Sequence, residues 1–136
     1  MSKIKLVLDT NIYISAILFG GKPESLISLA REKAIDIFIS DKILNELNRI
    51  FKHKFGWSNE QVFFLNESLN KITHFVVPTE KIDIIKAHQS DNNILECAIE
   101  AKAKYIISGD KHHILPLKSY RGIKILNVSQ FLNNYL

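Results

Sequence analysis

Short apolar runs, separated by longer helical stretches, constrain this fold more than any other feature of the sequence. Four runs are apolar at successive positions: residues 4–8, 37–40, 105–108 and 123–126. Runs of this kind, without alternation, are typical of parallel strands covered on both faces. A fifth candidate, residues 74–77, ends at Pro78. We therefore predict a central parallel sheet of four to five strands.

The segments between these runs have helical patterns. In residues 41–53 the apolar side chains recur at helical spacing, at Ile43, Leu47 and Phe51 among others,. The predicted helices cover residues 10–18, 24–33, 41–53, 58–72, 91–103 and 129–135. Strands that alternate with helices indicate an α/β fold, here a three-layer α/β/α sandwich, in one domain over residues 1–136.

Composition narrows the class of protein. A chain of 136 residues with 46% hydrophobic residues is large enough for one core and too apolar for disorder,. The net charge of +4 is compatible with a polyanionic partner without requiring one,. One cysteine fits a reducing compartment, and there is no signal-peptide pattern or membrane-length apolar run,. We expect a cytoplasmic protein with no membrane association.

Four acidic residues fall where a parallel sheet would bring them together. Asp9 directly follows the first run, and Asp110 follows the third. Asp91 begins the helix that leads into the third run, and Glu46 lies early in the helix after the second. Sites in open parallel sheets form beyond the carboxyl ends of the strands. The four carboxylates are therefore predicted to converge at that edge.

Convergent carboxylates repel one another and are stable together only with bound cations or protons. Their oxygen ligands suit Mg²⁺ or Mn²⁺, which can activate water and stabilise charge on a phosphodiester. We predict that Asp9, Asp91 and Asp110 bind a first ion and that Glu46 completes or bridges the site.

Each acid also has an ordinary structural interpretation. Asp9 and Asp91 can be helix N-caps, and Asp110 can form an Asx turn after Gly109. Glu46 can pair with the basic residues one turn away in its own helix. Taken singly, the residues leave both interpretations open, and only their joint placement favours a site.

Three segments together resemble the PIN-domain family. They are LDTNIYISAILFGG, ISDKILNEL and SDNNILECAIEAKAKYIISGDKHHIL. The likeness extends from residue 4 to about residue 128 and is nearest to stand-alone bacterial and archaeal toxin components related to the VapC type. The DTN and ISGD motifs are short, but in this order and at this separation they are fairly specific.

The resemblance implies a function. The acidic quartet of the family corresponds here to Asp9, Glu46, Asp91 and Asp110. A member of this type is expected to be an endoribonuclease that uses Mg²⁺ or Mn²⁺ and a metal-activated water to cleave single-stranded RNA. The resemblance also implies a small antitoxin protein as partner and a homodimer.

Further residues take roles by the same resemblance. Asn11 matches the polar residue beside the first acid, and Ser108 matches the hydroxyl position before the last Gly-Asp pair. Relatives often carry extra aspartates where this chain has His88, Gln89 and Ser90, and many have one at the place of His112. With fewer acids a second ion would be held more weakly.

Other polar side chains are open to two interpretations. Arg49, one turn from Glu46, is the best candidate for a phosphate contact, although the aromatic and basic residues of the segment 49–55 also fit a helix with a core-facing stripe,. His112 and His113 could bind a metal or the substrate, but they match no zinc spacing, and we interpret them as ordinary loop or helix-start residues.

Two other functions remain as alternatives. A non-catalytic, toxin-like interaction module would need no converging acids. An aspartyl-phosphate phosphatase of the haloacid-dehalogenase type also places Asp after its first strand, but it needs a second Asp two residues on, where this chain has Asn11.

Overall fold

A six-stranded sheet organises the computed structural model, which describes residues 3–86 and 88–135. The strands are β1 (Ile4–Leu8), β2 (Ile35–Ile39), β3 (Thr73–Phe75), β4 (Tyr105–Ile107), β5 (Ser119–Tyr120) and β6 (Ile123–Leu126). Their order across the sheet is β3-β2-β1-β4-β6-β5. Every pairing is parallel except that of β5 with β6. The strand β1 therefore lies between β2 and β4 in the interior of the sheet.

Helices connect the parallel strands. They are α1 (Thr10–Phe19), α2 (Gly21–Arg31), α3 (Asp41–His53), α4 (Asn59–Ile72), α5 (Gln89–Ala101) and α6 (Val128–Tyr135). Leu6, Val7 and Leu8 are all inaccessible to solvent, so both faces of β1 are covered,. The predicted α/β/α architecture is confirmed. Within the described residues, no helix has both the length and the apolar character that a membrane span requires.

The strand predictions were accurate except at one edge. The first and last predicted strands have the predicted bounds, and the candidate fifth run, residues 74–77, overlaps β3. Five strands are parallel, as predicted, and β5 adds a sixth strand that is antiparallel to β6. Arg121 and Gly122 form the two-residue turn between these strands, with φ of 48° and 83°. Arginine is an unusual residue for such a turn, and a two-residue strand has no periodicity to detect.

The helix predictions shifted by a few residues. α2 begins at Gly21 rather than at residue 24, with Pro23 in its first turn,. α5 begins at Gln89 rather than at Asp91, so Asp91 lies within the first turn of the helix instead of at its start. α4 begins after Ser58, whose side chain forms a reciprocal capping box with Gln61,. The predicted domain limits, residues 1 and 136, lie outside the described residues.

Side chains of α5 hold the segment that precedes this helix. The Asn92 carbonyl oxygen accepts hydrogen bonds from the backbone N–H groups of Ile84 and Ile85, and its amide donates to the Ile85 carbonyl at 2.9 Å. Glu96, which is also buried, accepts from the Ile82 N–H at 2.9 Å. Buried backbone groups need such partners. The segment between β3 and α5 is thereby fastened to the helix that carries Asp91.

Candidate metal centre

Ser108 joins two of the predicted acids at the carboxyl ends of adjacent strands. Leu8 of β1 pairs with Ile107 of β4, so Asp9 and Ser108 follow at neighbouring positions. The Ser108 hydroxyl donates a hydrogen bond to Asp9 Oδ2 at 2.8 Å and accepts one from the Asp110 backbone N–H at 3.0 Å. Asp9 occupies the N-cap position of α1, yet its side chain makes no capping bond. Its carboxylate is directed to Ser108, and the N-cap interpretation of its side chain was wrong.

Glu46 is connected to the same edge through Thr10. The Thr10 hydroxyl donates a hydrogen bond to Glu46 Oε2 at 3.1 Å. Arg49 makes only a long ion pair with Glu46, at 3.9 Å, and Lys42 pairs with Glu96 instead. Thr10 was not among the residues predicted for the site. Its place between Asp9 and Asn11 was the available signal for a role in the site.

Asp91 carries a buried oxygen that lacks a hydrogen-bond partner. The residue is 9% exposed, and within the described residues no donor reaches its Oδ2. His88 occupies the N-cap position of α5, so the interpretation of Asp91 as a cap was wrong. A buried polar atom without a partner costs free energy, typically about 1–3 kcal/mol and more if it is charged. This oxygen is therefore a natural ligand for a cation.

The pKa values show that the four carboxylates influence one another. Burial raises the pKa of Asp91 to about 7, and the charges of Asp9, Asp110 and Glu46 add to this effect while His113 opposes it. Burial also raises the pKa of Asp9, against the hydrogen bond from Ser108, and the charges of Asp110 and Glu46 raise it further. The charges of the other three acids thus act on Asp91, but no three of the four acids have ligand atoms within 4.8 Å of one another in the described part of the chain.

Asp110 differs from the other acids because nearby donors stabilise its charge. Its Oδ1 accepts hydrogen bonds from the backbone N–H groups of His112 at 2.9 Å and His113 at 3.2 Å. Its Oδ2 lies 3.2 Å from the His113 Nδ1. Burial by itself raises the pKa of Asp110, but these contacts outweigh it and lower the pKa overall. The Asx-turn interpretation was therefore correct, and it coexists with a place in the acidic group.

Histidines approach the acidic group more closely than the sequence suggested. Ligand atoms of His88, Asp91 and His113 all lie within 4.8 Å of one another, the only group of three or more His, Cys, Asp or Glu residues this compact in the described part of the chain. We had interpreted His113 as an ordinary loop residue. The approach of His88 to His113 was missed because 25 positions of sequence separate the two histidines and they match no spacing motif.

Asn11 does not contact the acids. It is exposed on α1, and the hydrogen bonds to Asp9 and Glu46 come from Ser108 and Thr10.

A cleft of about 500 Å³ opens beside Glu46. Three cations line it, Lys42, Arg49 and Lys81, and so do the two carboxylates Glu46 and Glu96. The rest of the lining is mostly neutral polar side chains from α3 and α5. Asp9, Asp91 and Asp110 are not part of this lining, so the cleft adjoins the acidic group through Glu46. The three cations outnumber the two carboxylates, so the cleft can take a polyanion whose reacting group reaches the acids,.

Comparison with known proteins places the chain in a family. A family model described as PIN domain matches residues 5–112. The chain belongs to the PIN-domain family. PIN domains are generally nucleases and typically use divalent metals. The resemblance seen in the sequence is confirmed.

Two similar proteins extend this finding. The uncharacterized protein MJ1680 of Methanocaldococcus jannaschii is 29% identical over 133 residues, which cover 93% of this chain and 83% of that protein. A chain in the crystal structure of VapBC2 from Rickettsia felis, bound to a DNA fragment from their promoter, matches with a TM-score of 0.65. That match covers 91% of this PIN domain and 98% of the other chain at 17% identity, and it shows a shared, VapC-like fold.

Replacing Asp91 with Asn should stabilise the metal-free PIN domain above neutral pH. The pKa of Asp91 is raised from 3.8 to about 7, so the folded state holds a proton that the unfolded state has lost, and stability falls as pH rises between these values,. The Asn variant has no carboxyl group to ionise at this position, so its folded state does not lose this stability. We expect its melting temperature at pH 8 in EDTA to exceed that of the wild type by about 3–5 °C, corresponding to on the order of 1 kcal/mol.

Glu67→Gln on α4 is the matched control, since it removes the same charge from a side chain that is exposed to solvent. The difference in melting temperature between Asp91→Asn and the wild type should be smaller at pH 4, where Asp91 is protonated in the folded state. An equal rise in melting temperature in Asp91→Asn and Glu67→Gln, or a rise in Asp91→Asn that does not depend on pH, would contradict the electrostatic account of Asp91.

Proposed function

We propose that this PIN domain is a divalent-metal-dependent endoribonuclease that cleaves single-stranded RNA and acts as the toxin of a toxin–antitoxin pair. The observation that carries the proposal is the buried Asp91 carboxylate, which has an oxygen without a partner and a pKa raised by burial and by the other three acids. A structural ion pair would place a cation there from the protein itself. This site instead gathers negative charge, as a metal-dependent nuclease requires.

The four acids are the groups that would hold Mg²⁺ or Mn²⁺. These ions prefer carboxylate oxygens, and Asp9, Glu46, Asp91 and Asp110 supply them from four different elements of the chain,. A bound ion supplies an activated water and positive charge to offset the charge that develops on the phosphodiester. The unpartnered Asp91 oxygen fits this assignment, since it has no competing hydrogen bond to break.

Neutral side chains around the acids have positioning roles in this proposal. Ser108 fixes Asp9 and is itself fixed by the Asp110 N–H, so the relative position of these acids is set before any ligand binds. Thr10 does the same for Glu46. Asn11 is exposed at the start of α1, where it can orient the substrate rather than the acids. Such preorganisation is what makes electrostatic catalysis efficient.

The cleft beside Glu46 is the proposed path for the RNA. Lys42 and Arg49 expose 61% and 64% of their side chains, and both lie on α3 with Glu46. Lys81 faces them from the segment before α5. Phosphate groups bound by these cations would lie beside Glu46, and so at the margin of the acidic group. Single-stranded RNA suits this arrangement because its backbone can bend into an open cleft.

An apolar surface supports a protein partner. Phe19 at the end of α1 and Phe64 on α4 expose 81% and 61% of their surface. A groove of about 380 Å³ lies between these helices and includes Ile17 and Trp57 in its lining. Exposed apolar patches of this kind mark sites of protein contact. The VapBC2 likeness supports an antitoxin as the occupant of this groove, and a homodimer through another face remains part of the proposal.

The alternatives explain fewer features. An interaction module accounts for the aromatic groove but not for the acidic group. A phosphatase of the aspartyl-phosphate type would need a carboxylate at position 11, where Asn11 stands. We therefore favour the nuclease.

Cleavage of a single-stranded RNA in Mn²⁺ should depend on the acids at the centre. We expect Asp91→Asn and Asp9→Asn each to lower the rate by more than about 100-fold, because each removes a proposed ligand of the ion. EDTA should abolish activity, and added Mn²⁺ should restore it. The Glu67→Gln variant should cleave at the wild-type rate, since its carboxylate lies on α4. Retention of Mn²⁺-dependent cleavage by both Asn variants would refute the assignment.

Binding of RNA should depend on salt through the cleft. In EDTA, which separates binding from cleavage, Arg49→Ala and Lys81→Ala should each weaken affinity for a fluorescent single-stranded RNA. Each should reduce the slope of log K against log salt by about 0.7, the value for one lost phosphate contact. Lys71→Ala on α4 is the control for net charge. If Lys71→Ala changes the slope as much as the cleft variants do, the RNA does not follow this path.

A further inference from the structure

We propose that His88, Asp91 and His113 form a separate cation site, next to the four-acid centre, that takes a transition metal of the Zn²⁺ type in preference to Mg²⁺. Ligand atoms of these three residues lie within 4.8 Å of one another. The site shares Asp91 with the proposed nuclease centre, but its existence does not depend on RNA cleavage. It includes His88, which stands at a place where relatives often carry an aspartate.

The three side chains lie close together. The His88 and His113 rings are in contact, with centroids 3.9 Å apart. Ligands at about 2.0–2.2 Å from a tetrahedral ion lie roughly 3–4 Å from one another. Coordination by both imidazoles would require the rings to turn so that one nitrogen of each reaches this distance.

The unpartnered oxygen of Asp91 is an independent observation that points to a ligand. The residue is more than nine-tenths buried, and its Oδ2 has no hydrogen-bond partner among the described residues. A ligand atom of this carboxylate lies within 4.8 Å of ligand nitrogens of both histidines. A cation held between the three side chains would satisfy the oxygen and remove the cost of its burial.

Asp110 supports His113 as a metal ligand. The His113 Nδ1 lies 3.2 Å from Asp110 Oδ2. Metal-binding histidines commonly donate the N–H of one ring nitrogen to a carboxylate, which fixes the tautomer and leaves the other nitrogen free to coordinate. With Nδ1 engaged by Asp110, Nε2 is the coordinating atom of His113. The backbone bonds from residues 112 and 113 to Asp110 hold the loop in place.

The two imidazoles determine which metal is preferred. Imidazole nitrogen suits Zn²⁺, Co²⁺, Ni²⁺ and Fe²⁺, whereas Mg²⁺ binds oxygen ligands and loses its water reluctantly. Two histidines and one carboxylate leave room for water or a substrate group in a further position. A transition metal here would join two separate parts of the chain, since His88 and Asp91 lie at the start of α5 and His113 follows β4.

Co²⁺ is the probe that tests this site, because its visible absorption reports nitrogen ligands and their geometry. We expect metal-free wild-type protein at pH 7.5 to bind Co²⁺ with a saturable absorption band, and Zn²⁺ to displace it. A 100-fold excess of Mg²⁺ over Co²⁺ should leave the band in place. His88→Ala and His113→Ala should each weaken Co²⁺ binding by at least about 10-fold.

His112→Ala is the matched control, because His112 adjoins His113 in sequence but is outside the group of three. His88 is exposed, so its replacement does not threaten the fold, and far-ultraviolet circular dichroism checks each variant. Unchanged Co²⁺ affinity in His88→Ala and His113→Ala, or displacement of Co²⁺ by Mg²⁺, would overturn the proposal.

RNA cleavage measured on the same samples shows whether the histidine site and the proposed nuclease function stand or fail independently. Co²⁺ binding that requires both histidines, in a protein that cleaves no RNA with any metal, supports this site and overturns the nuclease. If the protein cleaves RNA with Mn²⁺ but its Co²⁺ affinity is unchanged in both His88→Ala and His113→Ala, the histidine site is overturned and the nuclease proposal is not.

Discussion

The hydrogen bond from Ser108 to Asp9 ties together the parts of the structure on which the candidate site depends. It forms because β1 and β4 are adjacent parallel strands whose carboxyl ends lie level, with Leu8 opposite Ile107. Ser108 is inaccessible to solvent, so the bond is protected from competing water,. The same hydroxyl receives the Asp110 N–H, which brings the last acid of the chain to the first. Residues separated by a hundred positions are joined by one buried side chain.

Concentrating carboxylates at this edge has a cost that the apolar core must offset. Burial and mutual repulsion raise the pKa values of Asp9 and Asp91, which means that their charged forms are destabilised in the metal-free fold,. The pKa of Asp110 is lowered instead, because backbone N–H groups and His113 stabilise its charge. Strongly shifted groups of this kind cluster at functional sites. A cation would relieve the repulsion, and this is the physical basis for proposing a metal-binding centre here.

Topology could be predicted from the sequence, whereas local conformation could not. Consecutive apolar runs indicated the parallel strands, and the rule that sites lie beyond their carboxyl ends brought together Asp9, Glu46, Asp91 and Asp110. The roles of Thr10 and of the histidines depend on side-chain directions and loop paths, which no periodicity encodes. β5 was missed for a related reason, since its two residues and the Arg121-Gly122 turn carry no strong sequence signal.

The most direct test of the metal centre is the anomalous difference density of crystals grown with Mn²⁺ at pH 7.5. The account predicts a peak at coordination distance from carboxylate oxygens of Asp9 and Asp91, with Glu46 or Asp110 at the same ion or bridged to it by water. Crystals that contain Mn²⁺ only at surface residues, with these four carboxylates out of reach of any peak, would contradict it.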